Sequence, residues 1–127
     1  MKVHVINRVC AEEVQQITMT AKRWFQKSYG NTYHSVSIGA LVPVSVAERL
    51  GVEYNPRCRD VWIDLCYIPM TYGYGDQFVY TAQRGFLQCL EDVPASIKDE
   101  TRLDTACKTL GICFIDNVYD VTRKREL

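Results

Sequence analysis

The feature that most constrains this chain is a two-residue alternation that runs out from Ile17 and comes back after a Gly-Asn pair. In "ITMTAKRWFQ", Ile17, Met19, Ala21, Arg23 and Phe25 fall on one side of an extended chain. Thr18, Thr20, Lys22, Trp24 and Gln26 fall on the other, a period that fits a strand and not a helix. "TYHSVSIGALV" follows Gly30-Asn31, two residue types that accept the positive φ of a tight turn. Loop parity then decides the pairing. A two- or four-residue loop sets Arg23 and Phe25 beside His34, Val36 and Ile38, whereas three residues would set them beside Tyr33, Ser35 and Ser37. A one-residue slip turns a strand over, so the even loop is expected, because it joins the more apolar halves.

Further along, "DVWIDLCYIP" (Asp60–Pro69) is rich in β-branched and aromatic residues and reads as a strand. Its faces are Val61, Ile63, Leu65 and Tyr67 against Trp62, Cys66 and Ile68, apolarity on both sides that suits an interior strand. "VHVINR" near the start and "ICFIDNVYDV" near the end are two more strand candidates, the latter with a bulge expected near Asp116-Asn117. "TYGYGDQ" is a glycine loop whose Asp76 can cap the helix "QFVYTAQRGFLQCLED", with Phe78, Ala82, Phe86, Cys89 and Leu90 as its buried stripe. Ser45/Glu48 and Ser96/Asp99 have capping-box spacing, and Gly51 and Gly111 are natural stops. The first pair predicts one helical turn, the second a helix with Leu103, Ala106, Cys107 and Leu110 inward. The order strand, hairpin, strand, helix, helix, strand predicts a two-layer α+β domain. Its mostly antiparallel sheet would have 4–5 strands with two helices on one face, spanning residues 1–122, and residues 123–127 form a basic tail expected to fray.

Composition narrows the function classes. Among 127 residues, Lys plus Arg equals Asp plus Glu at 15 each, which argues against a chain built chiefly to coat nucleic acid and favours self-association into a homo-oligomer. No apolar run reaches signal-peptide or membrane-span length, so a cytoplasmic protein with no membrane partner is expected. Six cysteines in that setting read as reduced thiols packed as small hydrophobes. Cys58/Cys66 and Cys107/Cys113 are spaced too widely for ordinary zinc pairs, and nothing calls for a metal or another cofactor.

Catalytic signals are weak. The two histidines, His4 and His34, lie in strands, and no Gly-x-Ser-x-Gly or Cys-His signature is present. Asp60 and Asp64 share a strand face about 13 Å apart, too far for one ion, and are expected to pair with the basic hairpin face. "YGYGD" lacks the Lys and Ser/Thr of a phosphate loop. A minor enzyme or small-ligand reading gathers His34, Asp60, Asp64, Tyr72, Tyr74 and Asp76. Binding is the stronger expectation. The hairpin's polar face carries Lys22, Trp24, Gln26, Lys27, Tyr33 and Ser35, aromatic and basic groups suited to a macromolecular partner. Neutral net charge points first to a host protein, and nucleic acid held by Trp24, Tyr33, Lys22 and Lys27 is the alternative.

Two resemblances accompany this reading. "AKRWFQKSYGNTYHSVSI", "YIPMTYGYGDQFVYTA" and "YDVTRKREL" resemble small uncharacterised proteins of tailed bacteriophages and marine viral sequences over roughly Ala21 to Ala82 plus the tail. That likeness implies a phage or metagenomic origin and carries over no catalytic residue. More loosely, three strands, a glycine loop and "FVYTAQRGFLQCL" are similar in order to the last part of a double-stranded-RNA-binding domain. In that family the helix after the loop opens with a basic cluster, where this chain has Asp76-Gln77-Phe78-Val79.

Overall fold

The computed structural model describes residues 1–127. The hairpin forms as its alternation requires. Strand β2 (Gln16–Gln26) pairs antiparallel with β3 (Asn31–Pro43), with Gln26 opposite Asn31 and Arg23 opposite His34, so the loop has the even count of four residues. Gly30 takes φ 71°, and its N–H reaches the Gln26 carbonyl at 2.8 Å, a left-handed closure that costs glycine nothing. The third long strand, β4 (Asp60–Tyr72), pairs antiparallel with β3 on its far side. The two-residue β1 (His4–Val5) lies on β4, and β5 (Cys113–Val121) runs parallel to β2. The sheet order is β1-β4-β3-β2-β5. This is the expected α+β sheet, with one parallel pair and without the bulge expected near Asp116-Asn117, since the β5 register runs unbroken.

The faces of β4 differ from strict alternation. Ile38 opposes Cys66 while its neighbour Gly39 opposes Asp64, which leaves Leu65 as an extra residue. A bulge of this kind reverses the pleat. Val61, Ile63, Leu65, Cys66 and Ile68 are therefore all buried beneath the helices, and Tyr67 turns to the opposite face. The two-sided apolarity of β4 thus reflects a face switch and not burial on both sides. A second irregularity sets Pro69 and Met70 against Ser35 alone.

Three helices pack on one face of the sheet. The expected turn after β3 is a helix, α1 (Val44–Leu50), that starts from Pro43 with no side-chain cap and stops at Gly51 in the left-handed region. Ser45 lies inside it and caps nothing. In α2 (Gln77–Gln88), Phe78, Ala82 and Phe86 of the expected stripe are buried, together with Val79, Thr81, Gln83 and Gly85. Cys89 and Leu90 are buried too, but the helix stops before them and Leu90 instead forms a bridge with Val9. The Ser96/Asp99 signal yields only a 3-10 turn at Ala95–Ile97, and α3 (Leu103–Leu110) begins later, after Arg102. Leu103, Ala106 and Cys107 are buried as expected, and Gly111 ends the helix at φ 70°. Burial of one apolar stripe per helix against one sheet face accounts for the core, and no α-helix packs on the other sheet face. No helix is long and apolar enough to cross a membrane.

Candidate binding face

The sheet face opposite the helices is built by the residues that alternate with the core. Across the strands it carries Ile115, Asn117 and Tyr119 on β5, Thr18, Thr20, Lys22 and Trp24 on β2, Tyr33 and Ser37 on β3, and Trp62, Asp64 and Tyr67 on β4. At its hairpin end the register sets Trp24 opposite Tyr33 and Tyr33 opposite Tyr72. Their rings form a row. Trp24 and Tyr33 stack with centroids 5.8 Å apart at 27°, Tyr33 meets Tyr72 edge-on at 5.6 Å, and Tyr72 meets Tyr74 edge-on at 5.3 Å. The hydroxyls of Tyr72 and Tyr74 are hydrogen-bonded to each other, which raises the pKa of Tyr72. Tyr72 and Tyr74 are 52% and 54% exposed, while Trp24 and Tyr33 are half-buried by one another and their neighbours.

The structure thus joins two groups of residues that sequence reasoning kept apart: the hairpin pair Trp24 and Tyr33, and Tyr72 and Tyr74 of the glycine loop. Other members of the expected sites are placed elsewhere. Ser35 is 3% exposed, so it offers nothing to a partner. Lys22 and Lys27 are exposed, and Gln26 is half-buried at the strand end. His34 is 1% exposed and points to the helix side, its Nε2 2.7 Å from Thr81 Oγ1. Burial lowers its pKa, and a backbone hydrogen bond with Gly73 only partly offsets this.

Asp60 and Asp64 sit at the other end of β4, opposite Pro43 and Gly39, whereas His34 lies opposite Thr71. Asp64 is opposite Gly39, five positions along β3 from His34 and about 17 Å of strand away, so these acids and His34 form no common site. Nor do the acids pair with the hairpin cations: Asp60 Oδ1 accepts from Gln15 Nε2 at 3.0 Å, and neither Asp60 nor Asp64 has an ion-pair partner. Asp76 occupies the cap position of α2 without capping it, and its Oδ2 instead accepts from Arg102 Nη1 at 2.9 Å. No group of three or more His, Cys, Asp or Glu side chains is placed to hold a metal ion. Cys66, Cys89 and Cys107 are buried, Cys10 is half-buried, and Cys58 and Cys113 are exposed. A hydrogen bond with Cys89, aided by burial, pushes the Cys66 thiol well up, and burial pushes Cys107 up to about 12.

The C-terminal tail, expected to fray, lies over this face. Val121 is opposite Trp24, a 3-10 turn spans Lys124–Glu126 in contact with β2, and the Tyr67 hydroxyl donates to the Leu127 carbonyl at 3.5 Å. Since Tyr67 faces the open side, the chain passes from the end of β5 over β2 toward β4. Arg123, Lys124 and Arg125 are exposed on this segment, which leaves the sheet from Val121 opposite Trp24. Thr122 and the hairpin residues Trp24, Phe25, Gln26, Lys27 and Ser28 line a shallow hollow of about 410 Å³. Lys124, Arg125 and Leu127 line another of about 560 Å³ with Tyr67, Pro69 and Met70. Acids near this end are engaged elsewhere: Asp120 with Arg23 at 2.8 Å on the helix side, Asp76 with Arg102, and Glu126 with the Thr122 hydroxyl at 3.1 Å. Trp62, 50% exposed, and Tyr119 belong to the same face and were not singled out from sequence, although their alternation within β4 and β5 marks them once the covered side is known. Against known proteins, no family model, curated protein or solved structure matches the chain.

Proposed function

We propose that the hairpin end of the open face binds single-stranded nucleic acid. The observation that carries this reading is the row of four rings, Trp24-Tyr33-Tyr72-Tyr74, together with five exposed cations of the hairpin and tail: Lys22, Lys27, Arg123, Lys124 and Arg125. Single strands are held on sheets by bases laid on aromatic faces and phosphates led along a basic border. Zero net charge does not oppose this, because binding responds to the local field: Asp120 and Asp76 are paired with Arg23 and Arg102, and Glu126 alone faces the cations of the hairpin and tail. Bases stack on the half-exposed rings of Tyr72 and Tyr74, each worth about 1–3 kcal/mol. The tail cations take the phosphates.

The test is anisotropy of labelled single-stranded oligonucleotides titrated with protein at several salt concentrations. Affinity falls with salt, with a log–log slope of about −0.7 per phosphate neutralised. Tyr72→Ala and Tyr74→Ala each weaken binding roughly 5- to 150-fold. Lys124→Ala with Arg125→Ala flattens the slope. Absence of binding at low salt sinks the reading.

A second reading, a protein partner (a host protein if the chain is of phage origin), is favoured by a separate observation. Trp62 stands half exposed at the far end of the face, beside a hollow of about 360 Å³ lined by Thr18, Thr20, Ser37 and Gly39, with Asp64 as the nearest charge there. A bare indole above small side chains suits a protein surface better than a phosphate backbone. Trp62→Ala would then abolish partner capture and leave oligonucleotide binding unchanged.

A further inference from the structure

The two edges of the sheet are treated differently. On the β4 side, β1 covers the middle of the strand, and the remainder carries Pro69 and two irregularities, devices that prevent strand addition. On the other side, β5 presents nine residues in unbroken register, with no proline, no bulge and no lysine or arginine. Every residue of it is at least partly exposed, including Ile115, Val118 and Tyr119, and nothing in the chain pairs with its outer edge. An edge of this kind is a template for a further strand.

We propose that β5 pairs antiparallel with β5 of a second copy about a two-fold axis at Asn117, making one continuous ten-stranded sheet. Side-chain chemistry along the strand selects this register. Asn117 meets itself, Ile115 meets Tyr119 twice on the open face, and Asp116 meets Val118 while Asp120 meets Phe114 on the helix face. A shift of the axis to Asp116 sets Asp116 against itself, and a shift to Val118 sets Asp116 against Asp120. Like charges directly opposed are destabilising. Among these three registers, which keep both helix layers on one side, only the Asn117 register matches apolar to apolar without apposing two acids. A two-fold pair of this kind uses one patch twice and closes, so it ends at a dimer. Zero net charge adds no long-range repulsion between copies.

The test combines native mass with site-specific crosslinking. Sedimentation of the unmodified chain between roughly 1 and 100 µM gives a concentration-dependent rise to twice the monomer mass. In a Cys58→Ser, Cys113→Ser background, Asn117→Cys forms an intermolecular disulfide under mild oxidation, because directly opposed Cα atoms lie about 4.5–5.5 Å apart, within disulfide range. Ile115→Cys in the same background does not, because its own copy lies about 13 Å away along the partner strand. Both positions are on the surface, and circular dichroism verifies that each variant is folded. A monomer at every concentration, or equal crosslinking at 115 and 117, overturns the proposal.

Discussion

Gly85 lies at the tightest contact between α2 and the sheet, and replacing it tests how closely that interface is packed. A Cβ built there would stand 2.6 Å from Ile68 Cδ1 and 3.1 Å from Cys66 Sγ. In an exposed helix the change to alanine gains about 1 kcal/mol from propensity. Here Ile68 Cδ1 must retreat by about 1 Å to reach ordinary contact at 3.5–4.0 Å. Ile68 is fully buried, so it cannot swing into solvent. Forcing a methyl into such a core costs about 1–3 kcal/mol, so the clash outweighs propensity. Gly85→Ala is expected to lower unfolding free energy by about 1 kcal/mol net, read as a lower urea midpoint at unchanged m-value. Ile68→Val deletes the clashing methyl at a cost of about 0.5–1.5 kcal/mol by itself. In that background Gly85→Ala becomes neutral or stabilising, and the double-mutant cycle yields coupling of about 1–2 kcal/mol. If Gly85→Ala instead stabilises by about 1 kcal/mol in both backgrounds, the packing argument is refuted.

Three further outcomes follow from the geometry. The pKa of His34 is depressed in the fold, so below its unfolded value of about 6.5 the unfolded chain binds more protons. Stability is therefore level above that pH and falls as pH drops through it toward the folded pKa, and His34→Gln should flatten this loss in urea titrations at pH 5 and 7.5. Titration with a thiol reagent should modify Cys58 and Cys113 quickly in the native protein and Cys66, Cys89 and Cys107 only on unfolding; rapid native reaction of Cys107 would contradict its placement. A Trp24→Ala, Tyr33→Ala cycle should show aromatic coupling of about 0.5–1.5 kcal/mol in stability, and additive losses would mean that the rings do not stack in solution.

The hairpin was legible because its signal is local. Parity of the faces, an even loop and a turn at Gly30 all follow from residues within one short stretch, and the pairing of Gln26 with Asn31 then sets the loop at four. The α2 stripe was legible for the same reason, since Phe78, Ala82 and Phe86 repeat at helical spacing whatever they pack against. Helix starts were not, because Ser45 and Ser96 have the right spacing but neighbouring strand and turn geometry begins each helix elsewhere. The Leu65 irregularity was hidden as well, since an extra residue in one strand is defined only by its partner.

Local residue patterns thus specify the long strands, α2 and the two glycine stops at Gly51 and Gly111. Which residues share a surface depends on how the strands are ordered and paired. The tertiary structure set Tyr72 and Tyr74 beside Trp24 and Tyr33, turned Tyr67 outward, buried Ser35, laid Arg123–Arg125 across the sheet and left β5 with a free edge. The physical reason is that periodicity reports which side of a strand avoids water. Strand order and register, which bring residues 24, 33, 72 and 121 together, depend on long-range pairing that no local window encodes.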